Sequence, residues 1–238
     1  MCSSDLPLSD GLTGGSLDSL AGQFQFLERI GIAVPAYRIV SAEAQLEAAL
    51  AGLRYPLAVK TAAPEVLHKT DTGLVYLDIR NREQVLQAWN PIRAVNAGPV
   101  LFQEMVQGVE VFLSASRDPD FGEVLCIARG GVLVEQEQHK TYLACPAHPQ
   151  EVRDALERGR LMPLLSGLRG RKAADVDALV EAVCRLGAFF AANRTLEVIE
   201  LNPVIVAARG EGVRAVDVVT IEIGRAPSEL QSRLHLVC

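Results

Sequence analysis

The chain has one Trp, four Tyr, seven Phe and three Met among 238 residues, with only four His and five Cys. Each scarcity excludes something. The aromatic residues are too few to interleave with a basic stripe, and a net charge of -6 opposes a phosphate backbone, so nucleic acid is not an expected partner. Cys2, Cys126, Cys145, Cys184 and Cys238 show no CxxC spacing, which removes both a thiolate zinc site and a disulfide framework. No apolar run approaches the roughly 18 residues of a spanning helix. The N-terminus also lacks a basic region followed by an apolar one, so a cytoplasmic protein without a membrane partner is expected. Walker A, GxGxxG and HExxH patterns are missing as well, leaving P-loop, Rossmann and zincin chemistry without support.

What is present is enough apolar sequence, 49% of the chain against 22% charged, to build one large or two small cores. Leu17, Leu20, Phe24, Leu27 and Ile30 recur at helical spacing and Gly31 ends the run. An edge strand over 34–40 follows, then a helix capped by Ser41 and reaching about Leu53. Further strands are expected at 57–60, 73–79, 100–106, 110–116, 123–128, 140–145, 196–207 and 212–219, with helices at 81–95, 149–158 and 175–192. Asp118-Pro119-Asp120-Phe121-Gly122 reads as a turn, because Pro fixes φ and Gly accepts a left-handed step. Hairpins mixed irregularly with helices predict an α+β fold rather than a doubly wound parallel sheet.

The most informative stretch runs from Tyr55 to Gly73. A buried strand, Pro56-Leu57-Ala58-Val59, delivers Lys60 at its end and opens into a loop holding His68, Lys69 and Asp71. An ammonium among core residues must find an anion or solvent, which suggests a phosphate site. A second site is readable near the C-terminus. A hairpin turning at Arg209-Gly210 sets Asn202 opposite Asp217 on one face, with Glu200 two residues earlier on the same strand. An amide and a carboxylate suit Mg2+, which completes its shell with water and phosphate.

The pattern Tyr55-Pro56…Lys60…Leu67-His68-Lys69-Thr70-Asp71…Gly73 resembles the ATP-grasp domain of ADP-forming acyl-CoA synthetases, the acetate-CoA ligase family, and more distantly the succinyl-CoA synthetase beta subunit. Val100–Val106, Arg117–Gly122, Gly130–Glu135 and Ile199–Pro203 with Asp217 match in order, over roughly Leu20 to Thr220. The resemblance implies a two-lobed ATP-grasp fold with nucleotide between the lobes, the first spanning 16–102 and the second 103–221. It implies that Lys60 contacts ATP or ADP phosphates, that Gly73 permits close approach, and that the backbone after Gln103-Glu104 lines the adenine pocket. Glu110 is implied to accept from the ribose hydroxyls, and Asn202, Asp217 and Glu200 to hold Mg2+. His68 is implied to receive a phosphoryl group from a histidine of a CoA-binding, CoA-ligase module and pass it to ADP. That module, on the same polypeptide or a separate subunit, is the expected partner and brings acyl-CoA and phosphate.

Three positions depart from the family: Leu74 replaces a glycine, His139 an aspartate and Leu143 an arginine. Leu74 and Leu143 favour a second reading, a degenerate regulatory nucleotide-binding domain fused to another module such as an acetyltransferase, which Lys60, Asn202 and Asp217 together oppose. A third reading, a ligase forming an acyl phosphate without phosphohistidine, is opposed by His68. The ends carry a separate expectation. Codons available to Cys2–Leu6 and Glu222–Ala226 can be reverse complements of each other, as adapter read-through at both ends would leave them, so 1–6 and 222–238 are read as artefact tails, with a linker up to residue 15.

Overall fold

The computed structural model describes residues 17, 19–62, 74–95, 97–131, 139–167 and 172–224. His68 and Gly73 lie outside these residues, as do 1–16 and 225–238. The chain forms two α+β units: residues 19–25 with Val34–Val106, and Phe26–Ala33 with the chain from Gln107 onward.

The smaller unit is built from α1 (Leu20–Arg29, in its first half), β1 (Tyr37–Val40), α2 (Leu46–Leu50), β2 (Leu57–Thr61), β3 (Val75–Ile79), α3 (Arg82–Val95) and β4 (Val100–Glu104). Its antiparallel sheet runs β1-β4-β2-β3. The lysine strand is therefore internal to the sheet, with β3 and β4 as its antiparallel partners. Alternate residues Val40, Leu57, Val59, Val100 and Phe102 pack with Leu46, Val85, Ala88, Trp89 and Ile92 of α2 and α3 into one core. Because β4 pairs with β1 and β2 along its length, Gln103 and Glu104 belong to this unit.

The expected long helix after Ser41 is shorter. A 3-10 turn, Glu43–Gln45, precedes α2, and the Gln45 side chain, not Ser41, caps the start by accepting from the Ser41 and Ala42 N–H groups at 3.0 and 3.2 Å. Glutamine three residues past the cap competes successfully with the serine hydroxyl.

The larger unit contains β5 (Val109–Asp118), β6 (Gly122–Arg129), β7 (Thr141–Ala144), α4 (Pro149–Arg158), α5 (Met162–Leu165), α6 (Val176–Ala192), β8 (Leu196–Val206), β9 (Val213–Ala215) and β10 (Val218–Glu222). Its sheet order is β10-β8-β5-β6-β7, with β9 also on β8. One face is apolar: Leu113, Leu125, Ile199 and Leu201 are buried, and Leu125 lies so close to α6 that a Cβ on Gly187 would meet its Cδ1 at 2.8 Å. The short helix α5 has no counterpart in the sequence reading, since four residues show no period. The expected last strand splits into β9 and β10, because Pro203 across from the break has no N–H to continue the ladder.

The hairpin turn at Arg209-Gly210 is held from outside. Asp175, only 8% exposed, caps α6 by accepting from the Ala178 N–H at 3.2 Å, while its other oxygen accepts from Gly210 and Gly212, each at 2.9 Å. Burial alone would raise the pKa of this carboxyl, but the N–H groups of Gly212, Ala178 and Gly210 outweigh it and hold it below the usual range. A depressed folded pKa means that its stabilisation is present above the unfolded value and is lost as pH falls through the folded one. Asp175→Ala is therefore expected to cost about 1–3 kcal/mol at neutral pH. In thermal melts the gap between wild type and variant should close below about pH 4; a constant gap across pH would contradict the ionised clamp.

Candidate functional site

Each sheet buries one apolar face under helices, and the candidate residues fall on the other. In the smaller unit Ala58 pairs with Gln103 and Lys60 with Leu101 across β2 and β4, so Lys60 and Gln103 share the face turned from the α2–α3 core. Both are deeply buried, at 4% and 1% exposure. The Gln103 amide has neither its nitrogen nor its oxygen hydrogen-bonded among the described residues. Tyr37, which pairs with Gln103 on β1, meets the Phe24 ring edge-on at 4.9 Å, so α1 covers part of the same face.

Glu104 points the other way. Its carboxylate accepts from the Arg54 backbone N–H at 2.8 Å and from the guanidinium at 2.9 and 3.1 Å. Partial burial opposes its ionisation, yet Arg54 outweighs this and holds the carboxyl below its ordinary range. Glu104 thus has a structural partner for its side chain, and its N–H donates to Ala36.

In the larger unit the hairpin register is the expected one. Val218, Val219 and Thr220 face Leu201, Glu200 and Ile199, while Ala215, Arg214 and Val213 face Val204, Ile205 and Val206. Asn202 and Asp217 fall opposite one another between these two ladders. Leu201 points into the core under α6, so Glu200 and Asn202 lie on the opposite face. Gly131, at φ +104, donates its N–H to Asn202 Oδ1 at 3.1 Å, and a Cβ built on it would meet Glu110 Oε2 at 2.5 Å. Glu110, exposed at the start of β5, and Asn202 are thus gathered around one glycine. Nothing in the spacing along the chain signals that Gly131 orients Asn202.

The donor set fits Mg2+ chemically. Asn202 and Asp217 are hard oxygen donors, and each has an oxygen steadied by a backbone N–H, from Gly131 and Val218. Among the described residues no three His, Cys, Asp or Glu side chains converge as a metal centre, so the candidate set is an amide and carboxylates needing water or phosphate to complete it. The thiols are passive. Burial pushes Cys126 up to about 11 against the pull of Lys140, and pushes Cys145 up to about 12.

Two departures from the resembled family now have a structural account. Leu74 is buried in the α2–α3 core, and Leu143 pairs with Leu125 on the α6 side. Neither leucine lies on a face that carries Lys60 or Asn202.

The chain is thus made of two α+β units, one with a buried cation and amide and the other with a set of hard oxygen donors. The chain belongs to the ATP-grasp domain family, whose model matches residues 16–222. It is 27% identical over 203 residues to the beta subunit of acetate-CoA ligase (ADP-forming) II of Pyrococcus furiosus, covering 81% of this chain and 86% of that one. It is 29% identical over 203 residues to 4-hydroxybutyrate-CoA ligase (ADP-forming) of Nitrosopumilus maritimus, covering 82% of this chain but 29% of that protein's length. The acetyl-coenzyme A synthetase 1 of Ca. Korarchaeum cryptofilum, solved with coenzyme A and Mg-AMPPCP, superposes with a TM-score of 0.72 at 27% identity, covering 86% and 93% of the two chains. Among the described residues no helix is long and apolar enough to cross a membrane.

Gly131→Ala is expected to strain the left-handed turn and push Glu110 and Asn202 apart. Melting temperature should fall by several degrees, and the Mg2+ dependence of nucleotide binding should weaken more than metal-free binding. Equal effects with and without Mg2+ would mean that Gly131 serves the turn alone.

Proposed function

We propose that this chain is the nucleotide-binding part of an ADP-forming acyl-CoA synthetase, which interconverts acyl-CoA, ADP and phosphate with carboxylate, CoA and ATP in the cytoplasm. The observation that carries the reading is the buried face shared by Lys60 and Gln103. A buried amide whose donor and acceptor are both unmet costs about 1–3 kcal/mol, a cost relieved by a ligand presenting an acceptor beside a donor. Adenine does so through N7 and N6–H2, whereas the same edge of guanine shows two acceptors. The neighbouring ammonium suits the phosphates.

The remaining roles follow the chemistry of each group. Asn202, Asp217 and Glu200 would hold Mg2+, which neutralises phosphate charge, and Glu110 would accept from ribose hydroxyls. Gly73 and the main chain after Gln103-Glu104 would let the nucleotide approach closely. His68 is proposed as the phosphoryl carrier, a reading supported by its Leu-His-Lys-Thr-Asp setting and by the phosphohistidine segment named for the Korarchaeum enzyme. Its imidazole nitrogen would form a P–N bond as that of the partner module's phosphohistidine breaks. An ADP oxygen then displaces it. The partner would be a CoA-binding, CoA-ligase module, on the same polypeptide or a separate subunit. Both leucine departures lie on helix-packed faces, which favours a working site over a degenerate regulatory one.

Calorimetry should show Mg2+-dependent binding of ADP and ATP. Lys60→Ala should weaken both at least tenfold, and Gln103→Leu should reduce the preference for adenine over guanine nucleotides. Equal affinities in wild type and Lys60→Ala would remove the assignment. For His68, the chain is mixed with the CoA-ligase module of a matching synthetase, acyl-CoA and labelled phosphate. An acid-labile, base-stable label should appear on wild type and be lost in His68→Asn, with ADP affinity nearly intact. Retention of the label in His68→Asn would place the carrier elsewhere.

A further inference from the structure

Lys140 stands outside every role assigned above, yet its position in the larger sheet is specific. Thr141 pairs with Ile127 and Tyr142 with Cys126, so one step back along this register Lys140 comes opposite Ala128. Ala128 pairs with Phe112, and Phe112 sits where the β5–β8 register shifts beside Asn202-Pro203. Lys140, Ala128, Phe112, Asn202 and Asp217 thus form one row across the sheet, on the face turned from α6. The next row holds Tyr142, Cys126, Ser114 and Glu200. Phe112, Cys126 and Ala128 make a buried apolar floor in the middle.

This floor has unlike rims. On the β8–β10 side stand oxygen donors suited to a metal ion; on the β7 side stands a half-buried lysine. Their backbones are three strand spacings apart, about 14 Å, a gap narrowed by a lysine arm reaching inward. Lys140 and Glu200 both lie on the face that carries Cys126, one toward β7 and the other on β8. An anion lying across it, metal-bound at one side and charge-paired at the other, would be neutralised from two directions.

We propose that Lys140 is a second phosphate-binding cation of the nucleotide site, acting from the residue before β7 opposite the Asn202–Asp217–Glu200 metal set. The inference rests on the nucleotide reading above and adds a residue to it. A plain alternative is that Lys140 only balances Glu200, and the two roles predict different metal dependence. A phosphate contact matters whether or not Mg2+ is present. A counter-ion to a metal ligand matters only through the metal, and its removal would strengthen Mg2+ binding.

The test is calorimetry of ADP and ATP with wild type, Lys140→Met and Lys140→Arg, each with excess Mg2+ and with EDTA at low salt. Lys140→Met should lose about tenfold or more in affinity under both conditions, and Lys140→Arg should recover most of it. The melting temperature without nucleotide should stay within about two degrees of wild type for both variants. Unchanged affinity in Lys140→Met, or a change confined to the Mg2+ arm, would overturn the proposal while leaving the nucleotide site standing. A wild-type chain that binds neither nucleotide would overturn the site itself and this inference with it. A loss in Lys140→Met matched by a large fall in melting temperature and not rescued by arginine would overturn it in favour of a structural role.

Discussion

The register of β8 against β9 and β10 is the constraint on which the larger unit's chemistry depends. A slip of one residue would turn Glu200 and Asn202 into the α6 core and bring Leu201 out, reversing every side chain along the strand. Asp175 fixes that register at its turn: one carboxylate caps α6 and receives the N–H groups of Gly210 and Gly212. The clamp is strengthened by backbone bonds on both sides, from Asp175 N–H to Ala207 and from Arg209 N–H to Ala173. Helix start and hairpin turn are thereby one object, and the metal-ligand candidates are placed by a residue that never touches them.

Both units follow the same economy of faces. Successive side chains along each strand fall on opposite faces, and helices cover one of the two. The polar side is left with groups that a folding core would not choose: a buried lysine, a buried amide, and carboxylates beside an apolar floor. Burying such groups opposes stability unless something pairs with them. One face of each sheet thus gathers the polar groups that the cores exclude. The carboxylates of Glu104 and Glu123 pair with Arg54 and Arg117 and serve the fold.

The similarity to ADP-forming CoA ligases gains from the positions of the differences. A leucine where the family has glycine or arginine suggests loss of function when only the sequence is considered. Leu74 and Leu143 instead add to helix-packed apolar faces, so the substitutions alter packing and leave the chemistry-bearing faces as they are.

The sequence by itself determined the α+β class, the buried lysine strand and the hairpin that sets Asn202 against Asp217. These are local consequences of alternation, turn residues and one tight loop, and local periodicity is visible without a fold. It did not reveal the short α5, the capping of α2 by Gln45, or the break between β9 and β10, where side chains and a proline across the sheet override propensity. The second task of Asp175, the grip of Gly131 on Asn202, the unmet amide of Gln103 and the row joining Lys140 to Asp217 were decided only by the tertiary structure. Each depends on strands distant in the chain being brought side by side, and pairing between distant segments is the information that spacing along a sequence does not carry.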